Sequence, residues 1–171
     1  MIPAVHLHFL VGSTGAGKTT YAKRFCTETG AVLFSIDEWM TTLFWMDSPQ
    51  PLQPAWSMER IDRCSQQIWD TAVQVARAGV ACMLEVGFAS RACRRKYAEL
   101  ANKAGLTVQL HVLDVPIEDR WERIRLRNQQ DDGQGQLSFP ITREMFDFTE
   151  RFWEPPTPDE VAEFVSVYVT S

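Results

Sequence analysis

The chain has 171 residues, a length that suits one domain with helices on both faces of a sheet. Its formal net charge of -5 argues against a general nucleic-acid binder, and no apolar stretch approaches the ~18 residues of a membrane span. The N-terminus has no signal-peptide pattern and the four cysteines show no C-x-x-C pairing, so we expect reduced thiols in a cytoplasmic protein.

Apolar runs alternate with helical patterns, and this alternation predicts βαβ units around a parallel sheet. Neither a repeat nor a linker divides the chain, so 1–171 is predicted to form a single domain. The predicted strands cover 5–11, 31–36, 80–86, 106–115 and 164–170. The predicted helices cover 18–29, 38–45, 58–78, 90–104, 116–128 and 142–153. The long helix over 58–78 has Ser57 as its candidate N-cap. The polar, Gly-rich segment 129–138 predicts a mobile loop.

The segment 12–19 reads G-S-T-G-A-G-K-T and matches the phosphate-binding P-loop, G-x-x-x-x-G-K-[ST], between a predicted strand and a predicted helix. Glycines allow the backbone N–H groups of such a loop to point inward, and the helix N-terminus adds a positive dipole end. The pattern predicts a nucleoside triphosphate as the ligand, with Lys18 on the β- and γ-phosphates and the Thr19 hydroxyl on Mg²⁺. The predicted phosphate contacts are Gly12, Ser13, Thr14, Gly15, Ala16, Gly17, Lys18, Thr19 and Thr20.

Asp37 stands where the second predicted strand ends, at the sheet edge where open α/β folds bind ligands. A carboxylate at this edge can accept the proton of an acceptor hydroxyl, and the neighbouring Glu38 competes for the same role. The alternative for Asp37 is a helix N-cap, because a helical run follows it directly.

Glu85 closes the third predicted strand, at the position where P-loop proteins commonly carry a carboxylate that supports Mg²⁺. That residue is normally Asp, and the longer Glu leaves three roles open: direct metal contact, contact through water, or binding of the acceptor. An otherwise apolar strand gives little reason for a purely structural Glu at this point.

Arginines crowd the helix that precedes the Gly-rich loop, and Arg120, Arg123 and Arg127 fall on one helical stripe. Because a guanidinium presents a planar fork to phosphate oxygens, the stripe indicates a kinase lid over about 120–140. The alternative is a charged face paired with neighbouring carboxylates, namely Glu118, Asp119 and Glu122. In the helix after the third strand, Arg91 and Arg95 also share a face, which is either solvated or directed at an anionic acceptor.

Aromatic residues follow Asp37 closely, and they either line an acceptor pocket or belong to the core; they are Trp39, Phe44, Trp45 and Trp56. The three histidines fall within predicted strands, so they are interpreted as structural residues with hydrogen-bond partners; they are His6, His8 and His111.

These motifs occur in order along nearly the whole chain: G-S-T-G-A-G-K-T-T, S-I-D-E-W, L-E-V-G-F, L-D-V-P, R-W-E-R-I-R-L-R-N and W-E-P-P-T-P-D-E. Together they resemble the small P-loop kinases of the zeta-toxin, chloramphenicol phosphotransferase and polynucleotide kinase group, the AAA_33 type. The resemblance implies an α/β P-loop fold with sheet order 2-3-1-4-5, helices on both faces and a lid. It also implies that Asp37 is the catalytic carboxylate and that Arg120, Arg123 and Arg127 cover the lid arginine positions.

The resulting hypothesis is an ATP- and Mg²⁺-dependent kinase that phosphorylates a hydroxyl group of a small molecule. Polynucleotide kinases of this group tend to carry a cation shortly after the catalytic carboxylate, whereas residues 38–41 of this chain include none. A nucleic-acid acceptor is therefore disfavoured. The alternatives are a polynucleotide or nucleoside 5′-kinase and a regulatory ATPase without an acceptor, and the sequence predicts no oligomeric state.

Overall fold

A computed structural model of the protein describes residues 6–130 and 140–169. Most of the predicted mobile loop, 129–138, lies outside the described residues. Gln129 and Gln130 instead form the last part of the helix that precedes it.

Five parallel strands form one sheet in the order β2-β3-β1-β4-β5, which confirms the predicted fold and strand order. The strands are β1 (Leu7–Val11), β2 (Val32–Ser35), β3 (Cys82–Glu85), β4 (Val108–Leu113) and β5 (Val165–Val169). All five residues of β1 are buried, as expected for the middle strand of a sheet that is covered on both faces. The carboxyl ends of β1, β2 and β3 therefore lie side by side.

The described helices are α1 (Lys18–Thr29), α2 (Ile36–Phe44), α3 (Pro54–Arg77), α4 (Arg91–Lys103), α5 (Ile117–Gln130), α6 (Arg143–Glu150) and α7 (Pro158–Ala162), with a 3-10 turn at Trp45–Asp47. The prediction of Ser57 as the N-cap of the long helix is wrong, because α3 begins at Pro54 after Gln53. Proline suits this first position, since its ring fixes a helical φ and it has no N–H that needs a partner. None of the described helices is both long and apolar enough to cross a membrane.

Helices cover the two faces of the sheet unequally. The larger core lies between the sheet and the helices α3 and α4, with Phe9, Ile68 and Tyr97 among its members. On the opposite face, α1 packs Ala22 against Leu10 and Met83. This second layer holds α1 close to β1, and it thereby fixes the loop that joins them.

The helices α5 and α6 share a small separate core of Ile124, Ile141 and Phe146, against which Trp121 packs. Asn128 ties the two helices together, because its side chain donates to the carbonyl of Ile141 at 2.8 Å and accepts the N–H of Ile141 at 3.2 Å. Helices α5 and α6 thus pack on each other through their own core, and α5 lies beside the loop that follows β1.

Arg94 is the largest fully buried side chain among the described residues, although its sequence context suggested only a basic helix face. It binds the carboxylate of Glu160 through two hydrogen bonds of 2.6 and 2.9 Å. It also donates to the carbonyls of Phe88, Ala89 and Glu154. Arg94 thus anchors the loop after β3 to the segment that contains α7.

The predicted structural role of the histidines is confirmed. His6 contacts the Thr107 hydroxyl at 2.9 Å, while the buried His8 and His111 rings are joined by a hydrogen bond of 2.8 Å between Nδ1 and Nε2. The Tyr21 hydroxyl reaches Nδ1 of His111 at 2.6 Å. Burial, together with the proximity of His8, lowers the pKa of His111 to about 4, and burial also lowers the pKa of His8.

This histidine pair predicts acid sensitivity of the fold. Because the folded pKa of His111 lies below its unfolded value of 6.5, the unfolded chain binds more protons between pH 6.5 and pH 4. The free energy of unfolding is therefore expected to fall by on the order of 3 kcal/mol as the pH is lowered from 7 to 4. Urea unfolding at several pH values measures this decrease. We expect the free energy of unfolding to decrease less with falling pH in His111→Gln than in the wild-type protein, and to decrease as in the wild-type protein in His6→Gln. Equal pH dependence in all three proteins would contradict the assignment of the acid sensitivity to His111.

Candidate active site

The loop between β1 and α1 has the shape expected of a P-loop. Gly15 and Gly17 adopt positive φ angles of 81° and 88°, and the N–H of Ala16 donates to the carbonyl of Ser13 at 3.2 Å. Gly17 is the N-cap of α1, and no side chain caps the helix or places an acidic group in its first turn. The first N–H groups of α1 therefore form a site suited to an anion.

Gly15 lies directly against α5. A Cβ atom at this position would be 2.7 Å from the backbone oxygen of Arg120 and 3.0 Å from Cδ1 of Ile124. The glycine thus permits a close approach as well as a positive φ. The P-loop rests on α5, so the conformation of the loop depends on that helix.

Lys18 lies at the beginning of α1 and its ammonium donates to the carbonyl of Ser13 at 3.2 Å. Burial lowers the pKa of Lys18, while the carboxylates of Glu85 and Asp37 act in the opposite direction. The three residues on which the predicted chemistry depends are therefore close enough to interact electrostatically. They come from three different elements that meet at the carboxyl edge of the sheet.

Glu85 is the last residue of β3 and is 4% exposed, an unusual burial for a carboxylate. The hydroxyl groups of Ser35 and Thr19 lie near its carboxylate and act to lower its pKa, whereas Oε2 has no hydrogen-bond partner among the described residues. Burial is the main cause that raises the pKa of Glu85. An unpartnered carboxylate oxygen beside a threonine hydroxyl fits a Mg²⁺ ion that arrives with phosphate oxygens, because Mg²⁺ sites typically combine one or two carboxylates with substrate phosphates.

Asp37 lies in the first turn of α2 and is exposed. The N-cap of α2 is Ser35, whose hydroxyl accepts the N–H of Glu38 at 3.5 Å, so the alternative that made Asp37 the N-cap is wrong. The sequence contained a sign of this arrangement, since Ser35 and Glu38 stand at the spacing of a capping box. The carboxylate of Asp37 is not used as a cap, and its role as a base remains a prediction.

Helical spacing predicted Arg120 as a lid residue, but the structure buries its side chain. It is 5% exposed and donates to the carbonyls of Val115 and Thr14 at 3.0 and 3.1 Å. Its guanidinium also binds the Glu150 carboxylate through two hydrogen bonds of 2.7 Å. All of these contacts are made within the protein, because Arg120 faces the packed side of α5.

Arg123 and Arg127 lie on the exposed side of α5, one turn apart. Nη1 of Arg123 is 3.8 Å from the position that a Cβ atom would take at Gly17. The Arg123 guanidinium therefore lies next to the phosphate-binding loop. Arg125, which is also exposed, pairs with Glu122 on the same helix at 2.7 Å.

The aromatic residues after Asp37 are divided between core and surface. Trp39 and Phe44 pack against the larger core. The guanidinium of Arg60 stacks over the ring of Trp56, with its central carbon 4.0 Å from the ring centroid. Sequence reasoning missed this contact, although Trp56 and Arg60 stand four positions apart on α3 and helical spacing could have predicted it. Arg91 and Arg95 were predicted to share a face of α4, and Arg95 pairs with Glu99 at 3.2 Å on the surface.

The cysteines and histidines provide no resident metal site. Within the described residues, no three side chains of His, Cys, Asp or Glu come together as a metal-binding group. All four cysteines are free. A metal at the P-loop edge would therefore depend on phosphate oxygens in addition to Glu85 and the Thr19 hydroxyl.

The sequence matches the profile of the AAA_33 family, described as an AAA domain, over residues 7–152. The chain belongs to the AAA_33 family. No curated protein matches the sequence at a significant level. The matched residues include the P-loop, Asp37, Glu85 and the arginine stripe of α5.

Solved structures with the same fold include several kinases. A candidate kinase from Chloroflexus aurantiacus is 18% identical, with a TM-score of 0.72 over 99% of this chain and 87% of its own. A sugar kinase from Janibacter is 19% identical, with a TM-score of 0.62 over 98% and 86% of the two chains. The APS kinase of Mycobacterium tuberculosis, solved with AMPPNP and APS, is 18% identical, with a TM-score of 0.57 over 98% and 89%. At these identities the likeness establishes the P-loop kinase fold.

Proposed function

We propose that this AAA_33 protein is a kinase that transfers the γ-phosphoryl group of ATP to a hydroxyl group of a small molecule. The observation that carries the proposal is the meeting of Lys18, Glu85 and Asp37 beside the P-loop. A lysine, a metal-binding carboxylate and a catalytic base each have a known role in phosphoryl transfer, and the three residues lie at the edge of the sheet where ligands bind in this fold class. The kinase names of the structural neighbours support the same class of reaction.

On the donor side, the P-loop amides from Gly12 to Thr20 and the ammonium of Lys18 bind the phosphate chain. Lys18 donates one hydrogen bond to the Ser13 carbonyl, and the other N–H groups of its ammonium are available to phosphate oxygens. The Thr19 hydroxyl and the free Oε2 of Glu85 are the groups that would hold Mg²⁺. When bound, the ion neutralises charge on the β- and γ-phosphates.

On the acceptor side, the exposed carboxylate of Asp37 accepts the proton of the attacking hydroxyl group. Arg123, which lies beside Gly17, is the arginine that we assign to the charge that develops on the transferred group. Arg127 lies one turn further along the exposed side of α5 and is the second lid candidate. Arg120 has a different role, because its donors are already used by Glu150 and two carbonyls.

A radiolabel assay tests the proposal. The protein is incubated with Mg²⁺ and γ-labelled ATP in the presence of separate sugars, nucleosides, aminoglycosides and an oligonucleotide with a 5′-hydroxyl. We expect labelled product with one of the small-molecule classes and slow ATP hydrolysis without an acceptor, since a closing lid excludes water. Lys18→Met provides the background. Rapid hydrolysis that no acceptor accelerates would contradict a kinase, and transfer to the oligonucleotide alone would contradict the small-molecule acceptor.

A further inference from the structure

Glu150, the last residue of α6, makes direct contact with the P-loop although 137 positions separate it from Ser13. The Ser13 hydroxyl donates a short hydrogen bond to Oε1 of Glu150. The residue before it, Thr149, brings its hydroxyl within 3.2 Å of the Thr14 hydroxyl. The end of α6 thus contacts two successive residues in the first half of the phosphate-binding loop.

The same carboxylate holds the buried guanidinium of Arg120. Oε1 and Oε2 of Glu150 each accept a hydrogen bond of 2.7 Å from it. Arg120 in turn donates to the carbonyl of Thr14 at 3.1 Å. Glu150 therefore reaches the P-loop along two routes, one through the Ser13 hydroxyl and one through Arg120.

Ser13 also connects Glu150 with Lys18, because the carbonyl of Ser13 accepts the hydrogen bond of the Lys18 ammonium. Displacement of Ser13 would therefore change the position of the lysine as well as that of the loop. The contacts are shielded from water, since the side chains of Arg120 and Glu150 are 6% and 16% exposed. Interactions between charges that are shielded in this way are strong and sensitive to geometry.

We propose that Glu150 is a positioning residue for the nucleotide: it fixes Ser13 and Thr14, and through Ser13 it fixes Lys18, in the arrangement that binds the triphosphate. The proposal rests on the ATP binding in the proposed function but on neither the acceptor nor the transfer step. ATP affinity is therefore the readout. If the wild-type protein binds ATP but transfers no phosphoryl group, the kinase proposal fails. The ATP affinities of the variants still test the positioning role of Glu150 in that case.

The chain offers a matched control in the pair Arg94–Glu160. This pair is also a buried bidentate contact between an arginine and a glutamate, with side chains that are 0% and 5% exposed. The carbonyls that Arg94 binds belong to the loop after β3 and to the C-terminal segment, not to the P-loop. Glu150→Gln and Glu160→Gln thus remove the same charge from similar environments, and they differ in their connection to the nucleotide site.

The two variants are compared by calorimetric titration with Mg²⁺-ATP and by thermal unfolding. We expect both variants to have a lower Tm, because each leaves a buried arginine without its counter-charge. Glu150→Gln is expected to weaken ATP binding by about tenfold or more, and Glu160→Gln by less than about twofold. Equal loss of affinity in the two variants, or unchanged affinity in Glu150→Gln, would overturn the proposal.

Ser13→Ala is the second variant, and it is decisive if Glu150→Gln does not fold. It removes the hydroxyl that donates to Glu150 and leaves the Arg120–Glu150 pair in place, so the fold is expected to persist. Because one hydrogen bond to a charged group is lost, we expect ATP to bind about three- to tenfold more weakly. Affinity equal to that of the wild-type protein would overturn the proposal.

Discussion

Replacement of Asp37 by asparagine is expected to lower kcat by a factor of about 10² to 10⁴, the usual contribution of a general base. Asparagine has nearly the same shape and retains the polar contacts of the carboxylate, but it cannot accept a proton. The Kd for ATP is expected to change by less than about threefold, because the proposal assigns Asp37 to the acceptor and the phosphate contacts to the P-loop. Single-turnover phosphoryl transfer and calorimetric ATP titration measure the two quantities separately.

Glu38→Gln is the matched control for this experiment. It removes the same charge one position further along the first turn of α2, so it reproduces any general electrostatic effect on the site. We expect Glu38→Gln to keep kcat within about threefold of the wild-type value. A large loss of kcat in Glu38→Gln with little change in Asp37→Asn would reassign the base to Glu38. Similar small losses in both variants would contradict base catalysis by either residue.

The burial of charge explains why ATP binding and catalysis should respond separately to such substitutions. Glu85 is buried and Lys18 is half-buried, and burial acts on the pKa of each in favour of its neutral form. The approach of a triphosphate stabilises the charged lysine, and a cation beside Oε2 stabilises the charged carboxylate. Asp37, by contrast, is exposed. Substitutions at Lys18 or Glu85 are thus expected to act on nucleotide and Mg²⁺ binding, while substitution of Asp37 is expected to act on transfer to the acceptor.

The sequence predicted the strands because strands of a sheet that is covered on both faces are continuous apolar runs, while the strand order followed from the family resemblance. The P-loop pattern located the β1–α1 unit, and helix α1 has the predicted bounds of 18–29. The starts of helices were less predictable, because the N-cap is determined by one residue or one hydrogen bond. The start of α3 at Pro54 and the N-cap role of Ser35 are two examples. The short helix α7 was missed because five residues are little more than one turn, too few to show periodicity, although Thr157, Pro158 and Glu160 form a helix-start pattern.

The division of roles among the arginines of α5 was not predictable from spacing. Arg120, Arg123 and Arg127 share a stripe by number, yet Arg120 packs inward and Arg123 lies beside the P-loop. The difference arises from Glu150, which lies on another helix and provides the counter-charge that makes burial of one arginine possible. A pattern of local spacing contains no information about a partner 30 positions away. Spacing therefore predicted one group of arginines, whereas tertiary packing places Arg120 inside the protein, and the lid role of Arg123 and Arg127 stays a prediction.

Gly15→Ala is expected to abolish measurable ATP binding and to lower the free energy of unfolding by about 3 kcal/mol or more. The positive φ of 81° costs an alanine about 1 kcal/mol. The larger part of the effect comes from the clash, since the new Cβ atom would be 2.7 Å from the backbone oxygen of Arg120 and neither backbone can move without displacing the P-loop. Calorimetric ATP titration and urea unfolding provide the two measurements.

Gly30→Ala separates the conformational cost from the clash. Gly30 ends α1 with a φ of 77°, nearly the same angle, but no atom lies within 4 Å of the position that its Cβ would take. We expect this variant to lose about 1 kcal/mol of stability and to bind ATP as the wild-type protein does. The difference between the two variants then measures the contact between the P-loop and α5. If Gly15→Ala were no less stable than Gly30→Ala and still bound ATP, the P-loop would not depend on α5 for its shape, and the positioning role assigned to Arg120 and Glu150 would lose its structural basis.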